Sequence, residues 1–197
     1  MLRESTDWLA SLPSAGPRKP YRHATAELRA KAHSSCIIRP VRGCLSKYRL
    51  PMNIENAVNA DYPELIEIWE ASVRATHDFL SEEDLQELKP AILNQYFDAV
   101  DLKCAKTDDG EILGFCGVSN GNIEMLFVSP NQRGKGIGSS LAFHAIESQS
   151  ATTVDVNEQN DQAVGFYLRI GFAVTGRSPV DGQDKPYPLL HMALKFT

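Results

Sequence analysis

The stretch Met125-Leu-Phe-Val-Ser-Pro-Asn-Gln-Arg-Gly-Lys-Gly-Ile-Gly-Ser-Ser-Leu141 constrains this chain most, because it reads as a buried strand, a tight glycine loop and the first turn of a helix. Gly134, Gly136 and Gly138 alternate through the loop, so its backbone can take positive φ and bring amides close to a ligand. Ser139 and Ser140 then begin a helical run, whose free first-turn N–H groups and positive dipole end favour an anion. A diphosphate fits such a loop. Two common phosphate motifs do not match: the NTP-binding loop G-x-x-x-x-G-K-[ST] meets Ser129 at its first glycine and Gly136 at its hydroxyl. The dinucleotide pattern G-x-G-x-x-G places Ser139 or Leu141 at its last glycine, and no N-terminal βαβ unit leads into it.

With 197 residues, 43% of them hydrophobic, the chain can hold one domain with a sizeable core. No apolar run approaches the roughly 18 residues that a membrane span requires, and residues 1–9 lack a continuous signal-peptide core. A cytoplasmic protein without a membrane partner is expected. Cys36, Cys44, Cys104 and Cys116 form no C-x-x-C pair and have no His at metal spacing, so free thiols and no metal are expected.

Charge divides the chain in two. Residues 1–51 hold ten Lys or Arg against three acids, which leaves ten against twenty-two for residues 52–197 out of totals of 20 and 25. Five prolines interrupt the basic segment, and it is expected to be mostly disordered, with a helical turn at Glu27–Lys31 and an extended piece at Cys36–Arg39. Three readings apply to it: an upstream extension with Met52 as the true start, which is favoured, an organelle transit peptide, or a basic arm. Nucleic acid is not expected as a partner, since patterned aromatics are missing.

From Met52 the periodicities predict the order βααβββαβαββ, one mixed α/β domain over residues 52–197. An edge strand at Asn53–Val58 leads to a helix opened by Asn59-Ala-Asp61 and Pro63, with Leu65, Ile66, Ile68, Trp69 and Val73 inward. A second helical stretch runs from Ser81 to Val100, interrupted at Pro90. Strands at Leu102–Lys106 and Ile112–Val118 flank the turn Asp108-Asp109-Gly110, and the central strand is Asn122–Val128. Then come a helix at Ser139–Ser148, a strand at Thr153–Val156, a helix at Asn160–Ile170 closed by Gly171, and strands at Phe172–Thr175 and Leu189–Leu194.

Two motifs carry a family resemblance. Arg133, Gly136 and Gly138 give R-x-x-G-x-G directly after a hydrophobic strand, and Asn160, Ala163, Phe166, Tyr167, Gly171 and Phe172 give N-x-x-A-x-x-F-Y-x-x-x-G-F. On a helix Asn160, Ala163 and Tyr167 share one face. In that order the two motifs resemble the GNAT superfamily of N-acetyltransferases, and the resemblance spans Met52–Thr197. A narrower resemblance, through Ser72–Ser81, Asn157–Asn160, Gly176–Ser178 and Lys185–Leu190, is to small bacterial members of undefined substrate. The fold implied is a central mixed, mostly antiparallel sheet flanked by helices on both faces.

The resemblance implies acetyl-CoA as cosubstrate, with its diphosphate on Arg133, Gly134, Lys135, Gly136, Ile137, Gly138 and Ser139 and its pantetheine along Leu126, Phe127 and Val128. Asn160 would lie near the pantetheine amides and Tyr167 near the sulfur, as proton donor to the leaving thiolate. The amine needs a base, because only about one lysine-like amine in a few thousand is unprotonated at pH 7. Glu124, on the face of Leu126 and Val128 in a regular strand, is the candidate; a solvent-exposed strand residue is the plainer reading, and a bulge would reverse its face. For Tyr167 the plainer reading is a core tyrosine. The oxyanion of the tetrahedral intermediate would take a strand amide near Phe127 or Val128. His77, Phe79 and Tyr187 are candidates for the acceptor wall, with Trp69 and His191 as further possibilities equally explained by packing, and His144 reads as a helix-surface residue. The expected activity is direct acetyl transfer to the primary amine of a small molecule or peptide, by a monomer or homodimer. An acyl-CoA-binding sensor without turnover is the alternative, and an acetylase directed to its target by the basic arm is a third.

Overall fold

The structure is a computed structural model that describes residues 52–182 and 184–195. The expectations for residues 1–51 lie outside the described residues. Ile112-Leu-Gly-Phe-Cys-Gly-Val118 is apolar throughout, and such a run belongs in the middle of a sheet covered on both faces. It forms β3 (Ile112–Ser119), every residue of which except the last is buried. Around it the elements follow the expected order: β1 (Met52–Asn56), α1 (Tyr62–Thr76), α2 (Glu82–Ala91), β2 (Asp101–Thr107), β4 (Asn122–Val128), α3 (Ile137–Ser148), β5 (Thr153–Asn157), α4 (Asp161–Arg169), β6 (Phe172–Ser178) and β7 (Leu189–Leu194).

The seven strands form one sheet in the order β1-β2-β3-β4-β5-β7-β6. All neighbours are antiparallel except β4 and β5. That parallel pair is brief: only Asn122 with Thr153 and Ile123 with Val154 are matched before the strands part. The sheet therefore opens into a V at its centre, with the apex at Ile123 and Val154.

Alternation along β3 and β4, shifted by one residue at a bulge at Leu113 and another at Glu124, divides their side chains between two cores. Phe115 and Met125 face α1 and α2, packing with Leu65, Trp69, Leu85 and Phe97. Leu113, Cys116 and Ile123 face α3 and α4, packing with Leu141, Ala145, Tyr167 and Phe172. Phe115 has no exposed surface and stands between Phe97, edge-on at 5.7 Å, and Phe127 at 5.6 Å. Phe115→Ala removes that ring from both contacts and is expected to cost about 3–5 kcal/mol in denaturant unfolding; a loss below about 1 kcal/mol would mean that the core collapses around the gap.

Several boundaries differ from expectation, β6 for instance running to Ser178, and three have a clear physical reason. β1 ends two residues early because the Asp61 carboxylate accepts a hydrogen bond from the Val58 amide at 2.9 Å and draws the chain into the helix entry. The helical path is not broken at Pro90: α2 continues to Ala91 and passes into a π turn over Ile92–Tyr96. Burial of Leu88, Ile92 and Phe97 against the sheet outweighs the hydrogen bond that proline removes. α3 begins at Ile137 rather than Ser139, since Gly136, at φ 87°, is its N-cap.

Candidate active site

A cavity of about 660 Å³ occupies the V between β4 and β5. Of the residues singled out in the sequence, it is lined by Glu124, Leu126, Phe127, Val128, Arg133, Gly134, Gly136, Ile137, Gly138, Ser139, Asn160, Tyr167 and His77. Lys135, Phe79 and Tyr187 are not among its lining residues. Lys135 instead donates to Gln132 Oε1 at 2.7 Å.

The open edge of β4 follows from register. Ser129 N–H donates to Leu113 O at 2.9 Å, and Phe127 lies opposite Phe115. Antiparallel ladders alternate, so Phe127 exchanges its hydrogen bonds with β3 while Leu126 and Val128 turn their amides and carbonyls toward the V. The Val128 carbonyl is already taken: buried Ser72 of α1 donates to it from Oγ at 2.7 Å. Of the two amides offered for an oxyanion, that of Val128 is on the cavity side.

At the wide end of the V, the first intrahelical bond of α3 runs from Ser140 N–H to Gly136 O at 3.0 Å. The amides of Ile137, Gly138 and Ser139 precede it and have no partner within the helix, which leaves a positive helix terminus on the cavity wall. Arg133 reaches across to α4, donating from Nη2 to Gln162 Oε1 at 2.6 Å. On α4, Asn160 is the N-cap: its Oδ1 accepts from Ala163 N at 3.0 Å, so its amide Nδ2 is left to serve a ligand. Tyr167, 5% exposed, packs edge-on against Phe166 at 5.1 Å and Phe172 at 5.5 Å. Burial pushes its phenol well above the ordinary range, with the Cys116 thiol adding to the shift, so the hydroxyl keeps its proton.

At the apex the two strands present acids. Glu124 and Asp155 each follow the last matched pair, Ile123 with Val154. Like charges at facing positions weaken pairing, which favours parting of the strands there. Glu124 is also the extra residue of a bulge, since β3 passes from Gly117 to Val118 while β4 passes from Met125 to Ile123. Both of its carboxyl oxygens are closed to solvent. Asp155, which local sequence did not single out, keeps a quarter of its side chain exposed and accepts from His191 Nδ1 at 2.6 Å.

The proposed acceptor wall forms a row. His77 stacks on Phe79 at 5.2 Å, Phe79 on Tyr187 at 6.1 Å, and the Tyr187 hydroxyl donates to Asp84 Oδ2 at 2.6 Å, beside the Lys185–Asp84 ion pair. Trp69 is 3% exposed and belongs to the core. Burial depresses His77 to about 4, and the nearby Arg133 charge acts in the same direction. The imidazole is therefore neutral at pH 7. Thr76 Oγ1 donates to Ser72 O at 2.8 Å and lies 2.8 Å from His77 Nδ1, so Nδ1 carries the hydrogen and Nε2 the lone pair. Because the folded value lies below the unfolded one of 6.5, the unfolded chain binds the extra proton first. Stability is accordingly expected to fall as pH drops from about 6.5 toward about 4. His77→Gln should flatten that part of the curve in denaturant titrations at several pH values, and an unchanged slope would contradict a neutral His77.

Cys104 and Cys116 are fully buried, and burial pushes each thiol up to about 12. Neither is a nucleophile at neutral pH, which fits direct transfer better than an acetyl-cysteine. Among the described residues no helix is long and apolar enough to cross a membrane.

A strand-splayed mixed sheet with a glycine loop capping a helix at the mouth of the V is an acyl-CoA-binding architecture. Residues 71–196 match the acetyltransferase (GNAT) domain family, and the chain belongs to that family. It is 44% identical over 141 residues to the peptidyl-lysine N-acetyltransferase YjaB of Salmonella typhimurium, covering 72% of this chain and 97% of that protein. The YjaB of Escherichia coli is 42% identical over 142 residues, or 72% of this chain and 96% of the relative. The solution structure of apo YjaB from Escherichia coli superposes with a TM-score of 0.68 at 41% identity, covering 75% of this chain and all of that one. The fold is also that of the PaiA N-acetyltransferase of Thermoplasma acidophilum, solved with coenzyme A, at a TM-score of 0.59 and 20% identity over 75% of this chain and all of that one.

Proposed function

We propose that the protein transfers the acetyl group of acetyl-CoA directly to the side-chain amine of a lysine in a peptide or protein. The observation that carries this reading is the V itself, which runs from a glycine loop and an open helix N-terminus to two acidic side chains at its apex. From Val128 back to Glu124 the strand spans roughly 13 Å. A diphosphate on the Gly136–Ser139 amides with Arg133 beside it would therefore lay its pantetheine along Leu126 and Val128 and bring the thioester toward the acids. Lys135, held by Gln132, would guard the loop's outer side.

In the transfer, the amine loses a proton to a carboxylate, Glu124 or Asp155, and attacks the thioester carbon. The Val128 amide would hold the oxyanion, the C–S bond breaks as Tyr167 gives its proton to the thiolate, and the second proton shed by the acylated nitrogen restores the tyrosine. A cation suits the acids at the apex, and the row of His77, Phe79 and Tyr187 would flank the aliphatic stem of a lysine. Two relatives more than 40% identical are named peptidyl-lysine N-acetyltransferases, which supports this acceptor over a small free amine.

The test is to incubate the full chain with acetyl-CoA and lysine peptides whose N-termini are blocked, alongside polyamines and free amino acids. Mass spectrometry should place the acetyl group on the lysine Nε. Acetylation of the small amines alone would overturn the acceptor class.

A further inference from the structure

A cross-strand cluster stands behind the apex. Asp155 on β5, His191 on β7 and Ser178 on β6 lie on three adjacent strands. Asp155 and His191 are directly opposed in register. His191 Nδ1 is 2.6 Å from Asp155 Oδ1, and Nε2 is 2.7 Å from Ser178 Oγ. A carboxylate only accepts, so Nδ1 carries the hydrogen; in the neutral ring Nε2 then accepts from the Ser178 hydroxyl. Gly176 is the β6 partner of His191, and a Cβ there would come within 3.4 Å of the imidazole Cδ2. The ring lies over β6 and reaches Ser178 two residues on. One oxygen of Asp155 is held from behind, while the residue itself lines the cavity.

Resting on the lysine-acetylation reading above, we propose that Asp155 is the group that receives the acceptor's ammonium and takes its proton, with His191 and Ser178 as its positioning residues. The proton leaves the ammonium for the Asp155 oxygen that His191 does not hold. The freed nitrogen lone pair forms the C–N bond, the C–S bond breaks, the thiolate takes its proton from Tyr167, and the second proton shed by the acylated nitrogen restores the tyrosine through water. Asp155 returns its proton to water once the product leaves. His191 keeps the carboxylate aimed, as a second hydrogen-bonded group does for a catalytic base. Glu124, with both oxygens closed to solvent, stands beside the apex rather than in the amine's path.

The experiment measures thiol release by the full chain with acetyl-CoA and an N-blocked lysine peptide, together with calorimetric affinity for acetyl-CoA. Asp155→Asn should lower kcat by about a hundredfold or more, with acetyl-CoA affinity within about twofold of the wild type, since the loop and the β4 edge are untouched. His191→Ala should lose about tenfold in kcat, and His191→Asn, whose amide N–H can replace Nδ1–H, should recover most of that loss. Asp155→Asn within about threefold of the wild type while Glu124→Gln loses a hundredfold would overturn the assignment in favour of Glu124. Equal losses in His191→Ala and His191→Asn would reduce the cluster to a structural tie. If the wild type binds acetyl-CoA but releases no thiol with any lysine peptide, the acceptor reading itself fails and this assignment falls with it.

Discussion

Tyr167→Phe is expected to lower the rate of thiol release by about a hundredfold or more at saturating acetyl-CoA, with the fold and cofactor affinity preserved. The substitution removes one oxygen and keeps the ring, so the edge-on contacts with Phe166 and Phe172 survive. What is lost is a proton for the departing sulfur. A thiol like that of coenzyme A has a pKa near roughly 8.5 in water, and in a closed cleft its thiolate is a stronger base still, because low polarity disfavours any anion. The same burial keeps the Tyr167 phenol protonated over the whole working range. Donor and acceptor are thereby shifted in the same direction. Steady-state thiol release checks this; a rate within about threefold of the wild type would make Tyr167 a packing residue.

Gly136→Asp is expected to weaken acetyl-CoA binding by at least a hundredfold. Gly136 sits at φ 87° at the head of α3, a conformation that costs an ordinary L-residue about 1–2 kcal/mol. A Cβ there meets nothing within 4 Å, so the chain should still fold. The larger effect is charge: a carboxylate about 5 Å from one phosphate charge costs about 3 kcal/mol at an effective dielectric near 20. That alone is a factor of more than a hundred in Kd. Gly136→Asn has similar backbone strain and no charge, since Asn tolerates the left-handed region comparatively well. Calorimetry should find the Asn variant close to the wild type and the Asp variant far weaker. Equal affinities would mean that the diphosphate does not sit on this terminus.

Local signals carried most of the fold. Asn122–Val128 and Leu189–Leu194 have the predicted limits because turn residues bound strongly apolar strands. The entry to α1 and the end of α4 were set by Asn59–Asp61 and by Gly171, whose φ is 108°. What was illegible depends on distant partners. Whether Pro90 ends a helix depends on the sheet surface that Ile92 and Phe97 find beneath them. The same holds at the site. The glycine loop and the Asn160–Tyr167 face are written within a few residues each, so both could be read directly. Ser72 became visible only when α1 met Val128, and Asp155 only when β5 paired with β7 in place of its sequence neighbour β6. The bulge at Glu124 needed the opposite strand, because a bulge is a mismatch between two strands and no property of one.

Everything proposed above turns on the V between β4 and β5 binding acetyl-CoA for transfer to an amine. Calorimetric titration of the full chain with acetyl-CoA, followed by thiol release on adding an N-blocked lysine peptide, tests it most directly. Saturable one-to-one binding is expected, weakened at least a hundredfold by Gly136→Asp, with peptide-dependent release of one thiol per acetyl group transferred. Absence of binding in the wild type, or binding that Gly136→Asp leaves unchanged, would contradict it.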